Sequence, residues 1–481
     1  MPSFDEEAAR ARAAQQLWAQ RPIADRLHII RELRHLLVEQ ADRLALTVTQ
    51  DIGRPAGEVL ATDILPVADA LLFLEKRARG ILKPKRVSRS DRPLWLIGQR
   101  ETIVRQPRGV VGFIGTWNYP IFLNAVPLAQ ALVAGNGVLW KPSELTPALA
   151  IALHELFLQS GFPPDLLIRL PESREAGPLL VESAIDHLIF IGSDSVGRRI
   201  AQRLGERLIS SSLELSGCDA LVVAADADPV LAAKAAWFGT TLNKGQTCLA
   251  IRRIFVERTV LPSFLDALRP LAAGAVPEPL ELVGQAKQAE RLVQDALASG
   301  GTLLNPSLAP QAEDEPPRFP PTFVLDAKPE MALCREASFA PIAGIIPVGD
   351  LDEAIRAQTT CPFSLGASIF TRDHAKGRRL AEQMGVGTVS INDVIVGTAH
   401  PATPFGGRRS SGWGVLQGEE GLMEMTVPLV ICERGSSYRP HYNTGKPGLT
   451  RMLEGMLAWK HGRGFKKRLA GFWKMLRNLF G

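Results

Sequence analysis

The sequence predicts an α/β protein built on a doubly wound parallel sheet, and three observations carry that prediction. Between residues 108 and 214, short apolar runs alternate with helical segments, the pattern of crossovers into a parallel sheet. A second alternating region follows from about 219 to 400. The chain has 481 residues, room for about three domains at roughly 150 residues each. Hydrophobic residues make up 46% and charged residues 22%, close to a globular average, which excludes an intrinsically disordered chain. No apolar stretch approaches the roughly 18 residues of a membrane-spanning helix. The N-terminus, acidic and then basic, has no apolar core, so no secretory signal is expected.

The elements follow in order. Ala-, Leu- and Arg-rich periodicity predicts helices over 6–19, 23–51 and 55–82, with a break at 51–55. Residues 87–107 alternate weakly (Trp95-Leu96-Ile97, then Thr102-Ile103-Val104) and suggest a hairpin. A buried strand is expected at 109–115, followed by helix 121–134 and strand 137–141. Helix 146–160, strand 166–170, helix 174–182, strand 187–191, helix 195–205 and strand 208–214 continue the series. In the second region the strand candidates are 220–224, 252–257, 342–347, 367–370 and 387–391, and 306–321 is a Pro-rich, acidic surface loop.

The five cysteines are Cys218, Cys248, Cys334, Cys361 and Cys432. Their odd number and the lack of any C-x-x-C pair argue against a zinc site and a disulfide framework. No metal is expected, and a reducing, cytoplasmic compartment fits. By default each is a small buried hydrophobe.

Charge is unevenly distributed. Residues 446–481 hold nine Lys/Arg and one acid, a net of +8, while the rest of the chain stands at −3. On a helical wheel Phe465, Leu469, Phe472, Trp473, Leu476, Leu479 and Phe480 share an arc of roughly 120°. Lys466, Lys467, Lys474 and Arg477 lie opposite. An apolar face opposite a basic one is the pattern of a helix in a membrane interface, here expected over 463–480 at an anionic surface. Docking on the body or on another subunit is the other reading. No nucleic-acid recognition module accompanies the charge.

In open α/β sheets ligands bind beyond the carboxyl ends of the strands. Trp117-Asn118, Lys141-Pro142-Ser143-Glu144, Gly192-Ser193 and Glu214 all fall at predicted strand ends. A helix opening at Gly192 with Gly197 in its first turn can hold a phosphate on its N–H groups, although this spacing is weak by itself.

Six motif-bearing stretches, in order, resemble the NAD(P)-dependent aldehyde dehydrogenase family over about residues 10–440. They are Pro107–Gly112 through Trp117–Pro120, Lys141–Glu144, Phe190–Ser193, Leu213–Gly217, Asn243–Cys248, and Pro404–Gly407 through Ser411–Gly412. The short N-terminus and C-terminal extension look most like the class 3 and fatty-aldehyde branch, often dimeric and membrane-associated. The resemblance implies a cofactor domain (1–86 and 108–217), a catalytic α/β domain (218–403), a bridging, oligomerising segment (87–107 and 425–445) and the basic tail (446–481).

It further implies that Cys248 attacks the aldehyde carbon, that the Asn118 side chain and the Cys248 N–H hold the oxyanion, and that Glu214 activates water. A nucleophilic thiol ordinarily needs a polar, positive or helix-associated setting, because its free pKa is near 8.5. Acylating relatives typically lack the glutamate, so Glu214 favours hydrolysis to the acid. Lys141 and Glu144 match the adenosine-ribose contacts. A carboxylate there favours NAD over NADP, with NADP use still open. Trp117, Gly192, Ser193, Gly197, Leu215 and Phe339 complete the expected cofactor contacts.

Two departures stand out. Ala337 occupies the position of the family's nicotinamide-ribose glutamate, with Glu336 one residue early, and Ser216 replaces a usual glycine. The leading expectation is oxidation of apolar aldehydes (fatty, isoprenoid or carotenoid-type) to acids by a homodimer at a membrane surface. An aromatic aldehyde dehydrogenase and an impaired membrane-bound scaffold are the alternatives.

Overall fold

The computed structural model describes every residue except 1, 97, 306–317, 436, 438, 440, 441, 443, 444, 446, 447 and 479–481. The chain divides into two compact units, residues 1–83 with 105–429, and 84–104 with 430–481.

The first unit contains two sheets. The six-stranded one runs Gly412–Trp413, Ser210–Leu215, His187–Gly192, Val110–Ile114, Gly137–Lys141, Leu167–Arg169. Its five longer-range pairings are parallel except at the edge, where Gly412–Trp413 runs antiparallel to Ser210–Leu215. Side chains alternate between two cores. Val111, Phe113, Val138 and Trp140 meet one helical layer, and Val110, Ile114 and Leu139 meet the other. This period-2 alternation with both faces apolar is what a doubly wound sheet requires. The seven-stranded sheet is built the same way around Asp219–Val223, Ile251–Glu257, Ile342–Val348 and Gly366–Phe370, again with a core on each face. Its strand Thr322–Leu325 was not anticipated from the sequence.

The expected N-terminal helices form with two differences. The stretch 23–51 is two helices, Ile23–Glu39 and Ala41–Ile52, separated at Gln40 (φ −103°, ψ 12°). The helix Ala41–Ile52 ends on Gly53 at φ +65°, the left-handed cap that glycine adopts without strain. The third stretch begins as Ala56–Val59 and widens into a π-turn at Leu60–Ile64 before Leu65–Leu82. The wider turn shifts the phase of the helix, and Asp63 within it is fully buried. A strict 3.6-residue period cannot anticipate that inward carboxylate.

Most of a three-stranded sheet (Lys85–Arg86, Gln99–Pro107, Thr426–Arg434) belongs to the second unit. Lys85 pairs antiparallel with Ile103, as a hairpin requires, but Leu94–Leu96 forms a 3-10 turn and contributes no strand. Cys432 on Thr426–Arg434 is exposed, whereas the other four cysteines are buried, so the default of a buried thiol fails there.

The tail is a helical hairpin, Leu449–His461 and Phe465–Arg477. A Cβ on Gly455 would clash with Met475 N, and one on Gly471 would lie 2.5 Å from Trp459 N, so the helices touch backbone to backbone. The amphipathic helix expected over 463–480 forms as Phe465–Arg477, but as one half of this hairpin. Phe472 packs on Trp459, ring centroids 5.1 Å apart, while Phe465, Leu469 and Trp473 remain exposed. Leu479 and Phe480 lie outside the described residues, as does most of the 306–321 loop. Among the described residues no helix is long and apolar enough to cross a membrane.

Candidate active site

Strand Val110–Ile114 lies between His187–Gly192 and Gly137–Lys141, so the winding reverses there and a crevice opens beyond the carboxyl ends. Trp117 and Asn118 leave the first of these strands, Lys141 ends the third, and Gly192-Ser193 ends the second. Glu214 lies near the end of Ser210–Leu215, opposite Gly412.

The loop before strand Ile251–Glu257 carries Cys248. Asn243, Lys244 and Gly245 take successive positive φ values of 49°, 58° and 73°. Two non-glycine residues in that region store strain of order 1–3 kcal/mol each, which the surroundings must over-determine. They do so through packing and hydrogen bonds. A Cβ at Gly245 would lie 2.5 Å from the Ala340 carbonyl carbon and from Pro341 N. Arg252, 1% exposed, donates to the carbonyls of Gly245, Ser338 and Ala340 at 2.5, 2.6 and 2.5 Å. On the opposite side Gly217 has no side chain to obstruct the Cys248 carbonyl, which a Cβ there would meet at a clashing distance. Ser216, the departure beside it, has its carbonyl bonded by Ser411 Oγ at 2.8 Å.

Cys248 and Glu214 come together in this pocket, 9% and 4% exposed. Burial pushes the Glu214 carboxyl up to about 7; a hydrogen bond with Cys248 pulls it down and the charge of Asp219 pushes it further up. Glu214 Oε1 is buried and has no hydrogen-bond partner among the described residues. Burial and then the Glu214 carboxylate hold the Cys248 thiol well above the ordinary thiol range. Of the polar, positive or helix-associated settings expected for the thiol, the positive one is not found among the described residues. Its apolar neighbours are Leu249, Leu365 and Phe405, and the charges acting on it are the acids Glu214 and Asp219. Burial and the neighbouring acids thus both favour the protonated thiol.

Asn118, 2% exposed, is fixed at both ends. Its Nδ2 donates to the Gln246 carbonyl at 3.1 Å, two residues before Cys248, and its Oδ1 accepts from Thr116 Oγ1 at 3.0 Å. The backbone carbonyl of Asn118 accepts from Asn243 Nδ2 at 2.9 Å and from Arg54 Nη1 at 3.0 Å.

At the other end of the crevice Lys141 Nζ lies 3.2 Å from Glu144 Oε2, and Arg174 Nε 2.7 Å from Glu144 Oε1. Burial alone would raise the Glu144 pKa, but the bonds from Arg174 and Lys141 hold it below the usual carboxylate range. Ser193 caps helix Asp194–Glu206 with extended backbone (φ −74°, ψ 148°) and no side-chain cap bond. Gly197 and Leu215 meet one another, since a Cβ on Gly197 would lie 2.5 Å from Leu215 Cδ2, and their contact packs helix on strand. Trp117 and Phe339 meet edge to face at 6.2 Å. Glu336 pairs outward with Arg291 at 2.5 Å, and Ala337 packs by Cys218, Cys361 and Phe363, so neither supplies a carboxylate beside Phe339.

Sequence reasoning missed Arg54, Asp63, Asp219, Arg174 and Arg252. None carries a local motif, and only spatial proximity identifies them. A charged residue inside an apolar helical stretch, as Asp63 is, was the one available signal.

A family model described as the aldehyde dehydrogenase family matches residues 2–430. A 4,4'-diapolycopene aldehyde oxidase of Methylomonas sp is 33% identical over 89% of this chain and 81% of its own length. A putative succinate-semialdehyde dehydrogenase [NADP(+)] 2 of Mycobacterium ulcerans is 33% identical over 88% of this chain and 83% of its own. Among solved structures, an NAD+ complex of an aldehyde dehydrogenase from Bacillus cereus superposes with a TM-score of 0.84 at 26% identity, over 89% of this chain and 88% of that one.

Proposed function

The chain belongs to the aldehyde dehydrogenase family, and on that premise we propose that it oxidises apolar aldehydes to carboxylic acids with NAD at a membrane surface. The observation that carries the chemistry is the buried Cys248–Glu214 pair beside Asn118.

In this reading Glu214 takes the proton of the Cys248 thiol, and the sulfur adds to the aldehyde carbon. The Asn118 amide and the Cys248 N–H stabilise the oxyanion, as preorganised donors in a dry pocket do. NAD held there would supply the hydride acceptor for the carbon attached to sulfur. Glu214, once it has passed the thiol's proton on to solvent, removes a proton from water as the water attacks the thioester, and that proton goes to the departing Cys248 sulfur, releasing the acid and the thiol.

The residues present suit NAD. The Lys141–Glu144 pair would hold the adenosine ribose, and the first turn after Ser193 the pyrophosphate. Trp117 and Phe339 would flank the nicotinamide end. Glu144→Gln is expected to raise the NADP/NAD ratio of kcat/KM about tenfold, because it removes the charge that opposes a 2′-phosphate while keeping Lys141 and Arg174 (about 1.4 kcal/mol). An unchanged ratio would count against Glu144 as the ribose contact.

The membrane reading rests on the second unit. Exposed Phe465, Leu469 and Trp473 share a helix with Lys466, Lys467 and Arg477, which suits an anionic interface. An aromatic cleft of about 510 Å³ lined by Trp459, Phe465, Arg468, Leu469 and Phe472 adds room for an acyl chain. The apolar, exposed strand Thr426–Arg434 suits a second copy of the chain in a homodimer. Deleting 446–481 is expected to abolish co-sedimentation with anionic vesicles and to leave turnover of a short soluble aldehyde within about twofold. Sedimentation of the truncated protein would overturn the membrane role.

Substrate class is tested by NADH formation across aldehydes from short to very long, with aromatic aldehydes and succinate semialdehyde included. Apolar specificity predicts kcat/KM rising with chain length. A preference for succinate semialdehyde would overturn it.

A further inference from the structure

We propose that Arg54, clamped by Asp63, is a positioning residue that sets the spacing between the Asn118 amide and the Cys248 loop. The inference rests on the reading of Asn118 as an oxyanion donor.

Arg54 and Asp63 are 1% and 0% exposed, a charged pair in the interior of the first unit. Taking both ions out of water is costly, so the pair needs hydrogen bonds to every remaining group. It has them. Arg54 Nη1 lies 2.7 Å from Asp63 Oδ2, Nη2 lies 2.6 Å from Thr62 Oγ1, and Nε lies 3.1 Å from Glu58 Oε1. Asp63 Oδ1 accepts from the N–H groups of Ile121 and Phe122 at 3.0 and 3.1 Å, where helix Phe122–Ala134 begins. The π-turn at Leu60–Ile64 carries this carboxylate.

Two arms then reach the reacting groups. Arg54 Nη1 also donates to the Asn118 carbonyl at 3.0 Å. The guanidinium carbon stands 4.7 Å from the centre of the Tyr119 ring, whose hydroxyl lies 2.7 Å from Thr247 Oγ1, the residue before Cys248. One rigid, planar cation thus holds the residue bearing the oxyanion amide and, through Tyr119, the residue beside the nucleophile. A lysine would keep the charge but not the fork that serves Asp63, Thr62 and Asn118 together. Displacements of about 1 Å at such groups can cost on the order of 100-fold in rate.

A double-mutant cycle on the full-length protein tests this, with NADH formation as readout and thermal unfolding as the control. Asn118→Ala is expected to lower kcat about 100-fold or more. Arg54→Lys is expected to lower kcat about 10- to 100-fold, with KM for aldehyde and for NAD within about threefold. In the Asn118→Ala background Arg54→Lys should cost less than about twofold, because the group it positions is gone. A merely structural role predicts the same loss in both backgrounds, or a parallel loss of unfolding temperature, and either result overturns the proposal. If Arg54→Lys does not fold, Tyr119→Phe enters the same cycle. Non-additivity supports the proposal, and additivity or no loss overturns it. A harmless Asn118→Ala would instead sink the reading of Asn118 and the positioning role with it. Loss with Asn118→Ala but none with Arg54→Lys sinks the positioning role alone.

Discussion

Cys248→Ala is expected to abolish NADH formation from every aldehyde, by on the order of 10⁴-fold or more. The expectation follows from the pocket. Among the described cysteines, Cys218, Cys334 and Cys361 are buried in other clusters, and Cys432 is exposed on the strand Thr426–Arg434, so no second thiol stands beside Glu214 to substitute. Without the nucleophile no covalent adduct forms, and the residual rate is that of binding alone. The substitution removes one buried sulfur, so the fold should survive at a cost of about 1 kcal/mol. Retained vesicle binding in the same variant would show that membrane association and turnover are separable. Full NADH formation by a folded Cys248→Ala protein would refute the covalent mechanism.

The second large effect concerns Glu214→Gln and its pH dependence. Burial holds Glu214 up to about 7, so the carboxylate that activates water is present above that pH and lost as pH falls through it. The steady-state rate should rise through about pH 7 in the native protein. In Glu214→Gln it should fall about 100- to 10,000-fold, with the inflection gone. Burial pushes the Asp219 carboxyl up to about 7 as well. It packs behind the site, its Oδ1 accepting from Gly366 N at 3.0 Å. An inflection that persists in Glu214→Gln would therefore transfer the titration to Asp219 and remove Glu214 as the base. Rapid mixing adds a second readout. If hydrolysis limits the variant, NADH should appear as about one equivalent per chain before the slow phase.

Much of the first unit was legible because its information is local and periodic. Fully apolar runs such as Val110–Ile114 and Gly137–Lys141, separated by helix-length segments, admit few arrangements other than a parallel sheet with both faces covered. The edge strand Gly412–Trp413 was not legible. Two residues carry no period, and only pairing with Glu214 makes them a strand. The tail pattern was half legible. The wheel identified an apolar face, but the glycines at 455 and 471 that fold two helices together act only once both helices exist.

The residue types of the site were equally open to reading, since cysteine, asparagine and glutamate in their motifs name a chemistry wherever the chain carries them. The sequence by itself determined the doubly wound architecture, the family and the identity of the nucleophile candidate. Only the tertiary structure decided the electrostatic state of that nucleophile. A thiol for which a polar, positive or helix-associated setting was open lies beside a buried carboxylic acid, and burial and that acid both favour its protonated form. Tertiary structure also decided that Arg54 and Asp63, far from any motif, meet under Asn118. Periodicity assigns a face to a residue, whereas a hydrogen-bonded ion pair depends on contacts between segments distant in the chain, and those exist only after folding.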